Sequence, residues 1–266
     1  MSSHQCLHCK DTLSYIEHAR SHYCEKPLCQ RAKVQLYLVE NKKRLSAQLI
    51  AEIGEFIHNT ATHQLPTWLS HELEKAPILA LLPANTNQLK VLGEERKREF
   101  LHHLSMIYDN IENNNPSGSR VYSESLDPPL PENEAELVGK ACATCMGSCC
   151  NLGQTHAFID YPSLKGLLVS QSLALSEQKL LELYSDYFPE QSYQYSCVFL
   201  GKKGCALPKE LRSFTCNNFL CDEVLNYRRN ALQADSTLTF AAAVDSDKIM
   251  FTSVYNDEDF IRIKEK

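Results

Sequence analysis

Residues 142–150 read CATCMGSCC, which places four of the chain's 12 cysteines within nine positions. Thiols this crowded either cross-link one another or grip metal, and the choice decides the kind of fold. A disulfide framework belongs to small exported chains that cannot build a core. This chain has 266 residues, enough to bury one, and does not need such staples. Its cysteines come in close pairs, Cys6 with Cys9 and Cys24 with Cys29, before the cluster at 142–150. Close pairs suit a metal better than long-range bridges.

Composition supports a globular chain, with 43% hydrophobic and 23% charged residues. A formal net charge of -6 and a pI near 5.9 argue against broad binding to phosphate backbones. The partner expected is therefore another protein. The opening stretch MSSHQCLHCK is polar, without the apolar run of a secretory signal. The apolar run APILALLP at 76–83 is too short to span a bilayer. A cytoplasmic protein with no membrane role is the expectation.

Four stretches separate by composition. Residues 1–33 hold four cysteines and four histidines and read as a four-cysteine zinc-binding module. Residues 34–112 lack cysteine and read as a helical region. There Val34, Leu38, Leu45, Leu49, Ile53 and Phe56 form one apolar stripe, and Phe100, Leu104, Ile107 and Ile111 form another. A shorter helix fits TWLSHELEKA, between Pro66 and Pro77. Residues 113–137, rich in Asn, Ser, Pro and Glu, read as a linker. Residues 138–266 read as a Cys-rich metal-binding domain holding the other eight cysteines. Helices are expected at 176–188, capped by Ser176, and at 221–234. The segments 237–244 and 248–255, joined by Asp245, Ser246 and Asp247, predict a β hairpin. The expected fold is mainly α, an α+β chain with a small C-terminal hairpin and irregular Cys-rich loops.

Cys6 and Cys9 form C-x2-C, and Cys24 and Cys29 form C-x4-C. Together they supply four thiolates, the donor set that tetrahedral structural zinc prefers. The second pair runs into QRAKVQLYLVE, so that knuckle is expected at a helix start, where a thiolate is stabilised. A segment this short cannot bury enough surface to hold itself. A structural zinc supplies roughly 10–16 kcal/mol of apparent binding free energy, comparable with a whole domain's stability. His4, His8, His18 and His22 lie nearby, but the four cysteines already complete a shell.

In the second cluster, Cys142, Cys145, Cys149 and Cys150 are expected to be joined by Cys197, Cys205, Cys216 and Cys221. Adjacent residues point in divergent directions, so Cys149 and Cys150 take different roles. Eight thiols make one site with spares, or two sites. The ferredoxin run C-x2-C-x2-C-x3-C-P fails at Ser148. A C-x3-C-x2-C run starting at Cys145 fails at Leu152.

CATCMGSCC, CVFL at 197–200, GCAL at 204–207 and RSFTC at 212–216 follow one another in a recognisable order. As a set they resemble the bacterial CxxCxxCC zinc- or iron-chelating family, over about residues 138–225. Two departures stand out. The first motif has one residue more between its second and third cysteines, and Ser213 stands where the family carries proline. The resemblance implies a bound metal, Zn(2+) or an iron–sulfur cluster, on the later cysteines. Some flagellin lysine methylases are similar in carrying such a motif, which implies an iron–sulfur-dependent protein-modifying enzyme as an alternative. Metal storage, delivery or sensing is a further alternative. Walker loops, G-x-G-x-x-G and G-x-S-x-G are absent from the sequence, so no catalytic residue is assigned. Arg212, Lys202 and Lys203 are expected to offset thiolate charge. His156 and Asp160 read as loop and N-cap residues, and His102 and His103 as solvent-facing.

Overall fold

The computed structural model describes residues 5–14, 17, 21–61, 65–113, 132–170 and 175–264. In chain order the main elements begin with the long helix α1 (Pro27–Ala61), α2 (Thr67–Glu72), β1 (Ile78–Pro83), β2 (Leu89–Val91) and α3 (Glu94–Glu112). Then come α4 (Glu132–Cys145), a 3-10 turn at Ser148–Leu152, α5 (Tyr161–Ser170) and α6 (Glu177–Ser185). Next are β3 (Gln191–Tyr193), β4 (Leu200–Gly201), β5 (Gly204–Cys205), α7 (Phe214–Asn218) and α8 (Asp222–Ala231). The chain closes with β6 (Thr239–Asp245), β7 (Lys248–Tyr255) and β8 (Phe260–Lys264).

The fold is α+β, as the sequence predicts. The expected C-terminal hairpin is β6 and β7, antiparallel with Thr239 opposite Tyr255, and β8 extends it. A fourth strand, β1, joins in parallel with Ile78 opposite Thr239, giving the order β1-β6-β7-β8. The region 34–112 is thus not wholly helical: APILALLP supplies β1, and β2 pairs with β3. Its apolar run is a strand because both faces of the sheet are covered. Ile78, Ala80 and Leu82 pack with α4 and α8, in a core containing Val138, Ala141, Val224 and Tyr227. Leu79 and Leu81 face the other way, toward Leu45, Leu49 and Ile53 of α1. Burial of those three α1 side chains contributes about 1.5–3 kcal/mol each. β6 packs on both faces through small residues, Ala241, Ala242 and Ala243 all being fully buried.

The α1 stripe is core only in its C-terminal half. Val34 and Leu38 are exposed, since the sheet that covers Leu45 and beyond does not reach them. The stripe of α3 behaves as expected: Phe100, Leu104 and Ile107 are buried against α5 and α6. Of the linker expected at 113–137, residues 114–131 lie outside the described residues, and Glu132 already begins α4. The helices expected at 67–76, 176–188 and 221–234 form over narrower spans. Ser176 stands at the N-cap of α6 in extended geometry, without a side-chain hydrogen bond to the helix. Among the described residues, no helix is long and apolar enough to cross a membrane.

Candidate metal centres

The first centre is built by two short segments closing on each other. Gln5 and Thr12 form an antiparallel bridge, and the Cys6 amide donates to the Asp11 carbonyl at 2.8 Å. Lys10, one residue after Cys9, has φ 65, so the chain reverses there. The Leu7 amide donates to the His22 carbonyl, tying this knuckle to the second. Cys29 lies in the first turn of α1, as expected, and its amide donates to the Lys26 carbonyl. An ion pair between Lys26 and Asp11 joins the two knuckles from outside.

The four sulfurs of Cys6, Cys9, Cys24 and Cys29 all lie within 4.8 Å of one another, close enough to bind one metal ion. Cys9 Sγ and Cys24 Sγ are 3.7 Å apart. A tetrahedral ion with Zn–S bonds of about 2.3 Å sets its sulfurs about 3.8 Å apart. The Cys24 amide donates to Cys6 Sγ at 3.4 Å. Burial raises the Cys6 thiol, but backbone donors from Cys24, Cys9 and His8 outweigh it and bring the thiol down to about 6. Burial pushes Cys29 strongly up, and hydrogen bonds with the neighbouring cysteines add to that. His4 and His18 lie outside the described residues. None of the described histidines joins the cluster, which consists of the four cysteines.

The later eight cysteines come from six places. Cys142 and Cys145 end α4, three residues apart and so on one helix face. Cys145 Sγ donates to the Cys142 carbonyl at 3.2 Å. Met146 and Gly147 then adopt left-handed backbone, φ 58 and 71, and reverse the chain into the 3-10 turn carrying Cys149 and Cys150. The residue by which this motif exceeds C-x2-C-x2-C-C belongs to this reversal. Cys149 is exposed while Cys150 is half-buried, so the adjacent pair diverges as expected. The Cys197 amide donates to the Cys150 carbonyl at 2.8 Å, which brings CVFL alongside the turn. Gly153 keeps the approach close: a Cβ there would meet Phe158 at 2.9 Å and Cys197 Cβ at 3.2 Å. Cys205 stands opposite Leu200 in the β4–β5 pair. Cys216 lies in α7, its Sγ 3.7 Å from the Ala157 carbonyl, and Cys221 is the N-cap of α8.

Ser213 caps α7: its hydroxyl accepts from the Cys216 amide at 3.1 Å. Arg212 Nε donates to the Leu207 carbonyl at 2.8 Å, and its charge lowers Cys216 against the larger effect of burial. Lys202 and Lys203 occupy the exposed β4–β5 turn. Asp160 accepts from the Ser163 amide at 3.0 Å, the capping role expected of it. His156 Nδ1 accepts from the Phe158 amide. His103 is not solvent-facing as expected; its Nε2 is 2.8 Å from the Ile159 carbonyl.

Sequence reasoning missed the polar network beneath these cysteines. Asn85, fully buried in the loop after β1, holds the backbone of the cysteine segments. Its amide donates to the Cys145 carbonyl at 2.9 Å, and Nδ2 donates to the Met146 carbonyl at 3.1 Å and to Ser196 Oγ at 3.3 Å. Ser196 Oγ in turn binds Asn151 Oδ1, and Arg96 donates to the Ser196 carbonyl. The asparagines of PANTNQ at 83–88 were the only signal, and they read equally well as a loop.

Burial raises Cys145 to about 11 and Cys197 to about 12. Cys149 is brought down to about 7 by a hydrogen bond with Cys150, which moves up correspondingly. In comparison with known proteins, no family model, no curated protein and no solved structure matches the chain.

Proposed function

We propose that this chain is a metal-binding protein with a structural zinc on Cys6, Cys9, Cys24 and Cys29 and a second metal region on the later eight cysteines. The observation that carries the reading is the mutual approach of the four N-terminal sulfurs, all within 4.8 Å of one another and so close enough to be held by one ion. The module around them has a core of little more than Leu13 and the cysteines themselves. Zinc bound there would supply folding free energy, joining the knuckle at residues 5–12 to the start of α1.

For the second region, the resemblance to the CxxCxxCC zinc- or iron-chelating family supports zinc or an iron–sulfur cluster, and soft thiolate donors suit both. Metal analysis of anaerobically purified full-length protein, with X-ray absorption at the zinc and iron edges, tests the reading. At least one zinc with four sulfur neighbours near 2.3 Å is expected, together with zinc or iron beyond it. Protein free of both metals, with its thiols paired as disulfides by mass spectrometry, would overturn it.

A further inference from the structure

We infer that the later cysteines build two separate metal centres, one on Cys142, Cys145, Cys149 and Cys221, the other on Cys150, Cys197, Cys205 and Cys216. The inference rests on the reading of these residues as metal ligands and deepens it by dividing them. The division follows the packing of the chain. Cys142, Cys145 and Cys221 belong to the core beneath the sheet, where α4 and α8 cross β1. Cys150 and Cys197 belong to a different core, built by α3, α5 and α6. Cys205 faces Leu200, and Cys216 touches the Ala157 carbonyl; Leu200 and Ala157 are both buried in that second core.

The boundary falls between two adjacent residues. Cys150 turns inward, its Sγ 3.4 Å from where a Cβ on Gly147 would stand, while Cys149 remains exposed. The backbone agrees with this assignment: the Cys197 amide donates to the Cys150 carbonyl at 2.8 Å, tying Cys150 to the second set and leaving Cys149 beside the end of α4.

Each set has one buried sulfur, Cys145 in the first and Cys197 in the second, with partly or fully exposed partners around it. Each also has a cation at hand. Arg262 donates to the Ala143 carbonyl, between Cys142 and Cys145. Arg96 donates to the Ser196 carbonyl, next to Cys197, and Arg212 to the Leu207 carbonyl, two residues after Cys205. A tetrathiolate around a divalent ion carries about two negative charges, so two such shells side by side need cations on both flanks. Among the described residues, the N-terminal four are the only cysteines drawn within 4.8 Å as a group. The later sets stand wider, so each either closes onto a single zinc or encloses a larger iron–sulfur unit.

The test counts zinc, iron and acid-labile sulfide in the anaerobically purified full chain and its variants. Cys145→Ala should lose one centre and Cys197→Ala the other, while the double variant should keep only the N-terminal zinc. Should either buried substitution prevent folding, Cys221→Ser and Cys205→Ser address the same two sets from more exposed positions. Pairing Cys145→Ala with Cys221→Ser should remove no more metal than either alone. A single variant that strips all metal from the region, or variants that strip none, would overturn the division while leaving the metal-binding reading intact. Wild-type protein with one zinc and nothing further would instead overturn the reading on which the division rests.

Discussion

The side-chain amide of Asn85 donates to the Met146 carbonyl at 3.1 Å, fastening the loop after β1 to the reversal inside CATCMGSCC. The same amide reaches Ser196 Oγ, next to Cys197, so one buried residue spans both segments that carry cysteines. Replacing Asn85 with Ala strands these partners in a site without solvent and should cost about 2–3 kcal/mol. Urea unfolding of the metal-loaded protein measures this. Asn85→Asp should cost more, since it loses both donated bonds and buries a carboxylate. A loss below about 0.5 kcal/mol, the size of an ordinary surface change, would show that the network does not hold the loops.

Gly147 combines φ 71 with tight surroundings: a Cβ there would stand 2.9 Å from Leu200 Cδ1. Gly147→Ala should therefore destabilise by about 1–3 kcal/mol, from left-handed strain and displacement of Leu200. Gly139 is the internal contrast. It sits within α4 with nothing within 4 Å of an added Cβ. Gly139→Ala should stabilise by about 0.5–1 kcal/mol through higher helix propensity. Opposite shifts in melting temperature for two substitutions of one kind, in neighbouring turns of chain, are the expected result.

These two predictions also mark what the sequence made legible. The paired cysteines, their knuckle spacing and the helix starting at the second pair could be read directly, because a C-x2-C turn carries its geometry in its spacing. The hairpin was legible from β-branched residues and a turn. β1 was not, because a short apolar run covered on both faces looks the same in a strand and in a buried helix. Its parallel pairing with β6 joins residues 78–83 to 239–244, a contact that no local pattern encodes. Asn85 was hidden for the same reason: an asparagine in a loop is ordinary until a fold brings cysteine segments onto it.

Alkaline pH should weaken the fold through Tyr184. Its hydroxyl donates to the Leu211 carbonyl at 2.9 Å, and burial pushes its ionisation well above the ordinary tyrosine value. The unfolded chain ionises near pH 10 while the folded chain holds the proton. The resulting stability is complete below that pH and is lost as pH rises through the folded-state value. Urea midpoints should fall between about pH 10 and 11. Tyr184→Phe should start about 1 kcal/mol lower at neutral pH and fall less steeply. Tyr227 and Tyr255 are raised by burial too, so the slope should shrink and not vanish. Equal slopes in both proteins would assign the alkaline transition elsewhere.

Cys24→Ser should release the metal proposed for the N-terminal site and leave the sheet domain folded. Cys24 Sγ is one of four converging sulfurs, 3.7 Å from Cys9 Sγ, and a serine hydroxyl is a poor fourth donor to zinc. The loss in affinity should exceed the roughly 10–100-fold that removal of an outer hydrogen-bond partner costs at a metal site. Little else among the described residues holds the module, whose buried members are Leu13 and three of the cysteines. Hydrogen exchange should therefore accelerate over residues 5–12 and 21–30 while β6 and β7, at the centre of the sheet, keep wild-type protection. Chelation of the metal proposed there should reproduce the same local pattern in the wild type. Loss of protection in β6 and β7 as well would mean that this centre supports the whole chain. Unchanged protection at residues 5–12 would mean that the knuckle stands without metal.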